Sequence, residues 1–186
     1  MAGLPVTGLA RTVVDLARTV PFEEAVVVAD AALRGRPDQR APLAPAVLAA
    51  ELARAARWPG SPPARRAIAF ADGRSASVGE SRSRVAIAGA GLPAPVLQWA
   101  VRDRAGRLVG YTDFGWPELH TVGEFDGRVK YGRLLRSGQD AGDSVFAEKV
   151  REDRLRDLGL AVVRWTWSDL TDFTPTADRL RHHVRR

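Results

Sequence analysis

Cysteine is missing from this chain, which removes disulfides, thiolate zinc sites and cysteine nucleophiles together and suits a reducing cytoplasm. Lysine is nearly missing as well. Of 28 Lys plus Arg, only Lys130 and Lys149 are lysines. Where charge alone matters the chain writes Arg, so these two positions are candidates for a compact ammonium. No apolar run reaches spanning length. Residues 85 to 101, VAIAGAGLPAPVLQWAV, carry no charge, but Gly89, Gly91, Pro93 and Pro95 interrupt them where a membrane helix needs about 20 unbroken residues. No basic segment leads into an apolar stretch at the start of the chain, so no secretory signal is read. The expectation is a soluble cytoplasmic protein with no membrane partner. Histidine is scarce too, and His120, His182 and His183 show no metal-ligand spacing.

What is present is 186 residues at 45% hydrophobic content, enough for one full domain with a small helical appendage. Net charge is +6, which favours polyanionic partners, although usage rich in Arg and Ala also follows nucleotide composition.

Residues 1 to 74 read as an all-helical section. TGLARTVVDLART places Leu9, Val13, Leu16 and Val20 at helical spacing, and PFEEAVVVADAALR opens with Pro21 and early acids. After the break GRPDQRAPLAP come PAVLAAELARAAR and PPARRAIAFAD, two further short helices. Residues 75 to 186 differ in texture. SVGESRSRVAIAGAG begins with a capping-box spacing, Ser77 to Glu80, and ends in glycines. APVLQWAVRD and RLVGYTDFGW read as a hairpin, LHTVGEFDG as a third strand, DSVFAEKVREDRLRDLG as an amphipathic helix, and LAVVRWTW as a fourth strand parallel to the third. PTADRLRHHV closes the chain as a helix. The fold class expected is therefore α/β, a mixed sheet flanked by helices, behind an N-terminal helical section.

Alternation in TVGEFDGRVKYG puts Val122, Glu124 and Asp126 on one strand face. With the turn centred on Pro117 and Glu118, Asp113 falls opposite about residue 122 and diagonal to Glu124. Three converging carboxylates repel one another unless protonated or bridged, and oxygen-only ligands favour a hard cation such as Mg²⁺, whose natural partner is a phosphate. Lys130 follows near enough to fold back beside them, and Glu80 is a possible fourth acid, though the cap at Ser77 explains it equally. Asp126-Gly127 also fits a plain turn. Residues 127 to 142 lack any period and carry Arg128, Lys130, Arg133 and Arg136: either a solvated connection or a grip on phosphates. Trp165 and Trp167 share a strand face and read as packing residues.

The run of Asp113, then Glu124-Phe125-Asp126-Gly127, a following basic residue, a helix bearing Glu148 and Arg151, and the strand VVRWTW resembles the PD-(D/E)XK nuclease superfamily, in particular the domains of unknown function grouped with very-short-patch repair endonucleases. The resemblance covers about residues 77 to 170. It implies a restriction-endonuclease-like core of helix, three-strand meander, helix and strand. It also implies Asp113, Glu124 and Asp126 as metal ligands, with Glu80 and Lys130 completing the catalytic set. Phosphate contacts then fall to Arg128, Arg133, Arg136, Lys149 and Arg151. Asp126 occupies the place where that superfamily carries lysine, and Lys130 stands where the nearer branch carries histidine. ARTVVDLARTVPFEEAVVVADAAL resembles a segment of actinobacterial abortive-infection antitoxin (AbiEi-type) regulators. The expected function is a Mg²⁺-dependent DNA endonuclease-like protein linked to repair or phage defence; the alternative is a non-catalytic DNA-binding or toxin-antitoxin regulator on the same fold. The N-terminal helices would serve a homodimer or protein contact.

Overall fold

The structure, a computed structural model, describes residues 5–35, 41–127 and 141–184, with residues 141–148 and 184 described by their backbone alone. Arg128, Lys130, Arg133 and Arg136, and the side chain of Glu148, lie outside the described set. The chain divides into two compact units, Met1–Val85 and Ala86–Arg186.

The first unit holds α1 (Leu9–Ala17), α2 (Phe22–Arg34), α3 (Pro45–Arg54), α4 (Ser61–Phe70) and the first two turns of α5 (Val78–Gly89). Local chemistry sets their ends. Glu23 and Glu24 lie in the first turn of α2, where the helix dipole favours anions, and Gly35 at φ 71° stops it. Pro45 opens α3 at a position where no backbone donor is needed. The core is built from small residues: Val13, Val14, Ala17, Ala25, Val26, Ala29, Ala64 and Ala67, with Leu48 and Leu52. Alanines let helices approach closely at little side-chain entropy cost. One ion pair is buried with them. Arg84 donates to Asp30 at 2.8 Å and also to Ser75 and the carbonyl of Phe70, while Asp30 accepts the N–H of Asp72 at 2.7 Å. A buried charge survives only when it is satisfied on several sides like this.

In the second unit, β1 (Val96–Arg102), β2 (Leu108–Trp116), β3 (Thr121–Asp126) and β4 (Ala161–Thr166) form one sheet in the order β1-β2-β3-β4. The first two pairings are antiparallel, and β3–β4 is parallel. A parallel pair needs a crossover, and α6 (Ala141–Asp157) supplies it. This is the mixed α/β layout expected from the sequence. One face packs Val101, Val122, Leu155 and Leu160 with Trp99 and Leu158, which brings α6 onto the sheet. The other packs Leu97, Phe114, Trp116, Val163 and Trp165 with Ile87 of α5 and with Ala177 and Leu180 of α7 (Thr174–Val184). Trp165 is thus a packing residue, 1% exposed, as the alternation suggests.

Gly115 and Gly123 make two of these contacts possible. A Cβ at Gly115 would stand 2.5 Å from the Trp99 ring, and one at Gly123 would stand 2.5 Å from the Trp165 ring. The indoles lie directly on the strand backbone. Among the described residues, no helix is long and apolar enough to cross a membrane.

Candidate functional site

The register of β2 and β3 differs from the sequence expectation by two residues. Phe114 pairs with Gly123, Gly115 with Val122 and Trp116 with Thr121. Continued by one step, this sets Asp113 level with Glu124 rather than with residue 122. The cause is the turn. Pro117–Leu119 form a 3-10 helix, closed by the His120 N–H donating to the Pro117 carbonyl at 3.1 Å with His120 at φ 47°. That moves the turn's centre by one residue and hence every partner by two. Side chains level across an antiparallel pair share a face, so the correction brings the two acids closer than the diagonal would.

Asp113, Glu124 and Asp126 line one cavity of about 260 Å³, together with Tyr111, Phe125, Arg151 and Arg164. Each element delivers its side chain for a local reason. Arg151 stands one turn before Leu155 and two before Leu158, both packed against the sheet, so the apolar face of α6 carries it to the cavity. Arg164 is paired with Glu124 in the parallel register of β3 and β4, so the two side chains share a face.

Glu124 is the hub. Arg151 Nη2 lies 2.8 Å from its Oε1 and 2.9 Å from its Oε2, and Arg164 Nη2 lies 3.1 Å from its Oε2. Arg164 also meets Glu152 of α6 at 3.0 Å. Arg151 turns its other terminal nitrogen to the carbonyl of Tyr111 at 3.2 Å, tying α6 to β2. Asp113 is used differently: its Oδ2 accepts the backbone N–H of Phe125 at 2.9 Å, so a side chain completes the β2–β3 contact where the ladder has ended. Just beyond Asp126, the Trp167 indole N–H donates to the carbonyl of Gly127 at 3.3 Å, and Trp167 meets Phe125 edge to face.

Glu80 belongs to the first unit and serves the start of α5. Its backbone N–H donates to Ser77 Oγ at 3.1 Å, and its carboxylate accepts from Ser77 Oγ at 3.0 Å and from the Ala76 N–H at 2.7 Å. That is the cap the spacing suggests. Lys149 is exposed on α6, and the described cavity lining does not include it. Arg164, Glu152 and Tyr111 belong to the arrangement although the sequence reading did not single them out. The available signal for Arg164 was a charge inside LAVVRWTW, alternating with Val163 and Trp165, which are both core.

Counting ionisable lining residues, three carboxylates face two guanidiniums, a formal balance of −1. The donor set is oxygen-only and therefore suits a hard divalent cation in kind. Among the described residues, no group of three or more His, Asp or Glu side chains is gathered as a ready metal cage. Glu124's oxygens are directed to arginines.

The chain is 30% identical over 164 residues to two uncharacterized proteins of Mycobacterium tuberculosis, one from the CDC 1551 / Oshkosh strain and one from the H37Rv strain. The alignment covers 88% of this chain and 55% of each relative, so the chain spans about half the length of the curated relatives it matches. No family model matches the chain. No solved structure matches it either.

Proposed function

We propose that the second unit handles the phosphodiester backbone of DNA at this cavity, as a divalent-cation-dependent endonuclease-like domain. One observation supports the reading: acids from adjoining strands, Asp113 and Glu124, line one concavity with Asp126 and two guanidiniums. With a divalent ion the formal balance of the lining changes from −1 to +1, the complement of a single phosphodiester charge. Asp113 and Asp126 would hold the ion, and Glu124 would fix the arginines. When bound, such an ion polarises the phosphate and activates water.

The chain's own groups do the rest. Arg151 and Arg164, held from α6 and β4, present positive charge where a phosphorane would develop it negative. Tyr111, 60% exposed, stands beside the cavity where a base or sugar can lie against its ring. Lys130 joins as a charge stabiliser, and Arg128, Arg133, Arg136 and Lys149 contact flanking phosphates. The first unit serves a protein contact or a second copy, and the protein works in the cytoplasm.

Purified protein incubated with supercoiled plasmid and Mg²⁺ tests this. Nicking is expected that stops with chelator, in Asp113→Asn and in Asp126→Asn, at unchanged melting temperature. Absence of nicking under every divalent ion tried sinks the hydrolytic reading. The arginine pairing of Glu124 favours one alternative, a regulator that binds DNA on this fold without cutting it. Salt-sensitive retention of uncut DNA, unaffected by Asp113→Asn, would select that alternative.

A further inference from the structure

Gly110 stands inside β2, and its backbone does not require glycine. A strand interior is weakened by a residue with no side chain to pack, so such a glycine needs a reason. Five described glycines have positive φ, and Gly110 is not one of them. A bulge does fall here: Val101 pairs with Gly110 and Arg102 with Leu108, which leaves Val109 as the extra residue. Bulges demand glycine where its φ is positive, whereas this position keeps a backbone open to any residue.

What Gly110 meets is Arg151. A Cβ at Gly110 would stand 3.3 Å from Arg151 Cδ, 3.7 Å from its Cγ and 3.9 Å from its Nη1. The arginine stem therefore crosses β2 directly over bare backbone. Neither end of that stem is loose. Its root lies on α6, which Leu155 and Leu158 hold against the sheet. Its guanidinium meets the two Glu124 oxygens at 2.8 and 2.9 Å and donates to the Tyr111 carbonyl at 3.2 Å. A side chain fixed at both ends cannot swing away from a new methyl as a surface arginine does.

We propose that Gly110 is a positioning residue for Arg151, a role that rests on the phosphodiester reading above. In that reading Arg151 offers positive charge to a developing phosphorane, and such a group is effective when it is already in place before the reaction begins. Clearance over β2 sets its place. Carbon atoms pack best at about 3.5–4.0 Å, so alanine at 110 already presses on Cδ at 3.3 Å. Valine, with two further methyls, closes the passage. Gly115 and Gly123 also make room for a neighbour, but theirs are core tryptophans, whereas Gly110 admits a charged side chain that lines the cavity.

Gly110→Val tests the role, unfolded in urea alone and together with Glu124→Gln, and assayed alone for plasmid nicking with Mg²⁺ at a temperature where each variant is folded. With Arg151 displaced, Glu124→Gln is expected to lower the urea midpoint by less in the valine background than in wild type. The maximal nicking rate is expected to fall about tenfold or more, since a shift of about 1 Å in a positioned group costs on the order of 100-fold. The plasmid concentration giving half that rate stays unchanged, as it does when an interaction made only in the transition state is removed. Gly110→Ala falls between, with a rate loss of about threefold by the same measure. A valine variant in which Glu124→Gln acts in full and nicking matches wild type overturns the proposal and leaves the function intact. So does slower nicking with an undiminished Glu124 effect, because the loss then does not pass through Arg151. A diminished Glu124 effect with nicking at the wild-type rate overturns it as well. Wild type that nicks nothing under any divalent ion removes the hydrolytic function, and the positioning role with it, whatever the urea cycle shows.

Discussion

Glu124→Gln keeps the size of the side chain and deletes the charge that two guanidiniums share. Arg164 retains Glu152 and Arg151 retains the Tyr111 carbonyl. Breaking a fully buried pair typically costs 3–5 kcal/mol, but Arg151 and Arg164 remain 24% and 34% exposed beside a carboxylate that is 11% exposed. Water screens part of the loss, so a destabilisation of about 2 kcal/mol is expected, read as a lower urea midpoint at unchanged slope. At this scale much of the site was legible. Asp113 stands out because an acid between Tyr111, Phe114 and Trp116 fits poorly in a strand, and Glu124 because alternation forces it onto the face of Val122. Arg164 was not legible, since its pairing with Glu124 depends on where the α6 crossover returns the chain. The left-handed backbone of Gln98 in β1, at φ 50°, was invisible for another reason: nothing in PVLQWAV announces it, and the usual markers, Gly and Asn, are absent there.

Strand β3 shows how an element can be tuned to a neighbour's bulk. Trp165 lies on Gly123, stacks on Phe114 at 5.3 Å between ring centres and meets Phe173 edge to face at 5.8 Å. Gly123→Ala would drive a methyl to 2.5 Å from an indole with no room to retreat, at a cost of about 1–3 kcal/mol by the measure of overpacked cores. A lower calorimetric midpoint with near-ultraviolet ellipticity altered in the tryptophan region is the expected result. The existence and order of the elements followed from proline, glycine and period. Their register did not: WPEL reads as a tight turn, and the 3-10 helix that it forms, with His120 closing it, is settled by φ values that residue identity leaves open.

Taken as a whole, the molecule should be sensitive to acid. The backbone N–H of Thr166 beside Asp169 holds that carboxyl below its ordinary 3.8. The Arg74 guanidinium does the same for Asp72, the Arg107 N–H for Asp103, and Thr174 for Asp172. A carboxyl whose value is lower in the folded state contributes stability that is complete above the unfolded value and disappears as the pH falls below it. Stability should therefore be flat above about pH 5 and decline below about pH 4, with urea midpoints as the measure. Asp169→Asn should flatten part of that decline, and a variant with the wild-type slope would contradict the assignment. At this scale the sequence shows the change of texture between its helical and mixed parts. It does not show that the compact units part after Val85, within a helix that gives Val85 to one core and Ile87 to the other.

The parallel pairing of β3 with β4 also has a consequence in time. As the chain leaves the ribosome, the meander carrying Asp113 and Glu124 emerges first, and the guanidinium that Glu124 binds on α6 follows 27 residues later. Until the crossover docks, Glu124 lacks Arg151 and Arg164, so this corner of the sheet gains those ion pairs late. A nascent chain paused before Arg151 would hold the β2–β3 hairpin frayed at its open end, away from the Pro117–Leu119 turn, and that end would close only when synthesis has passed β4.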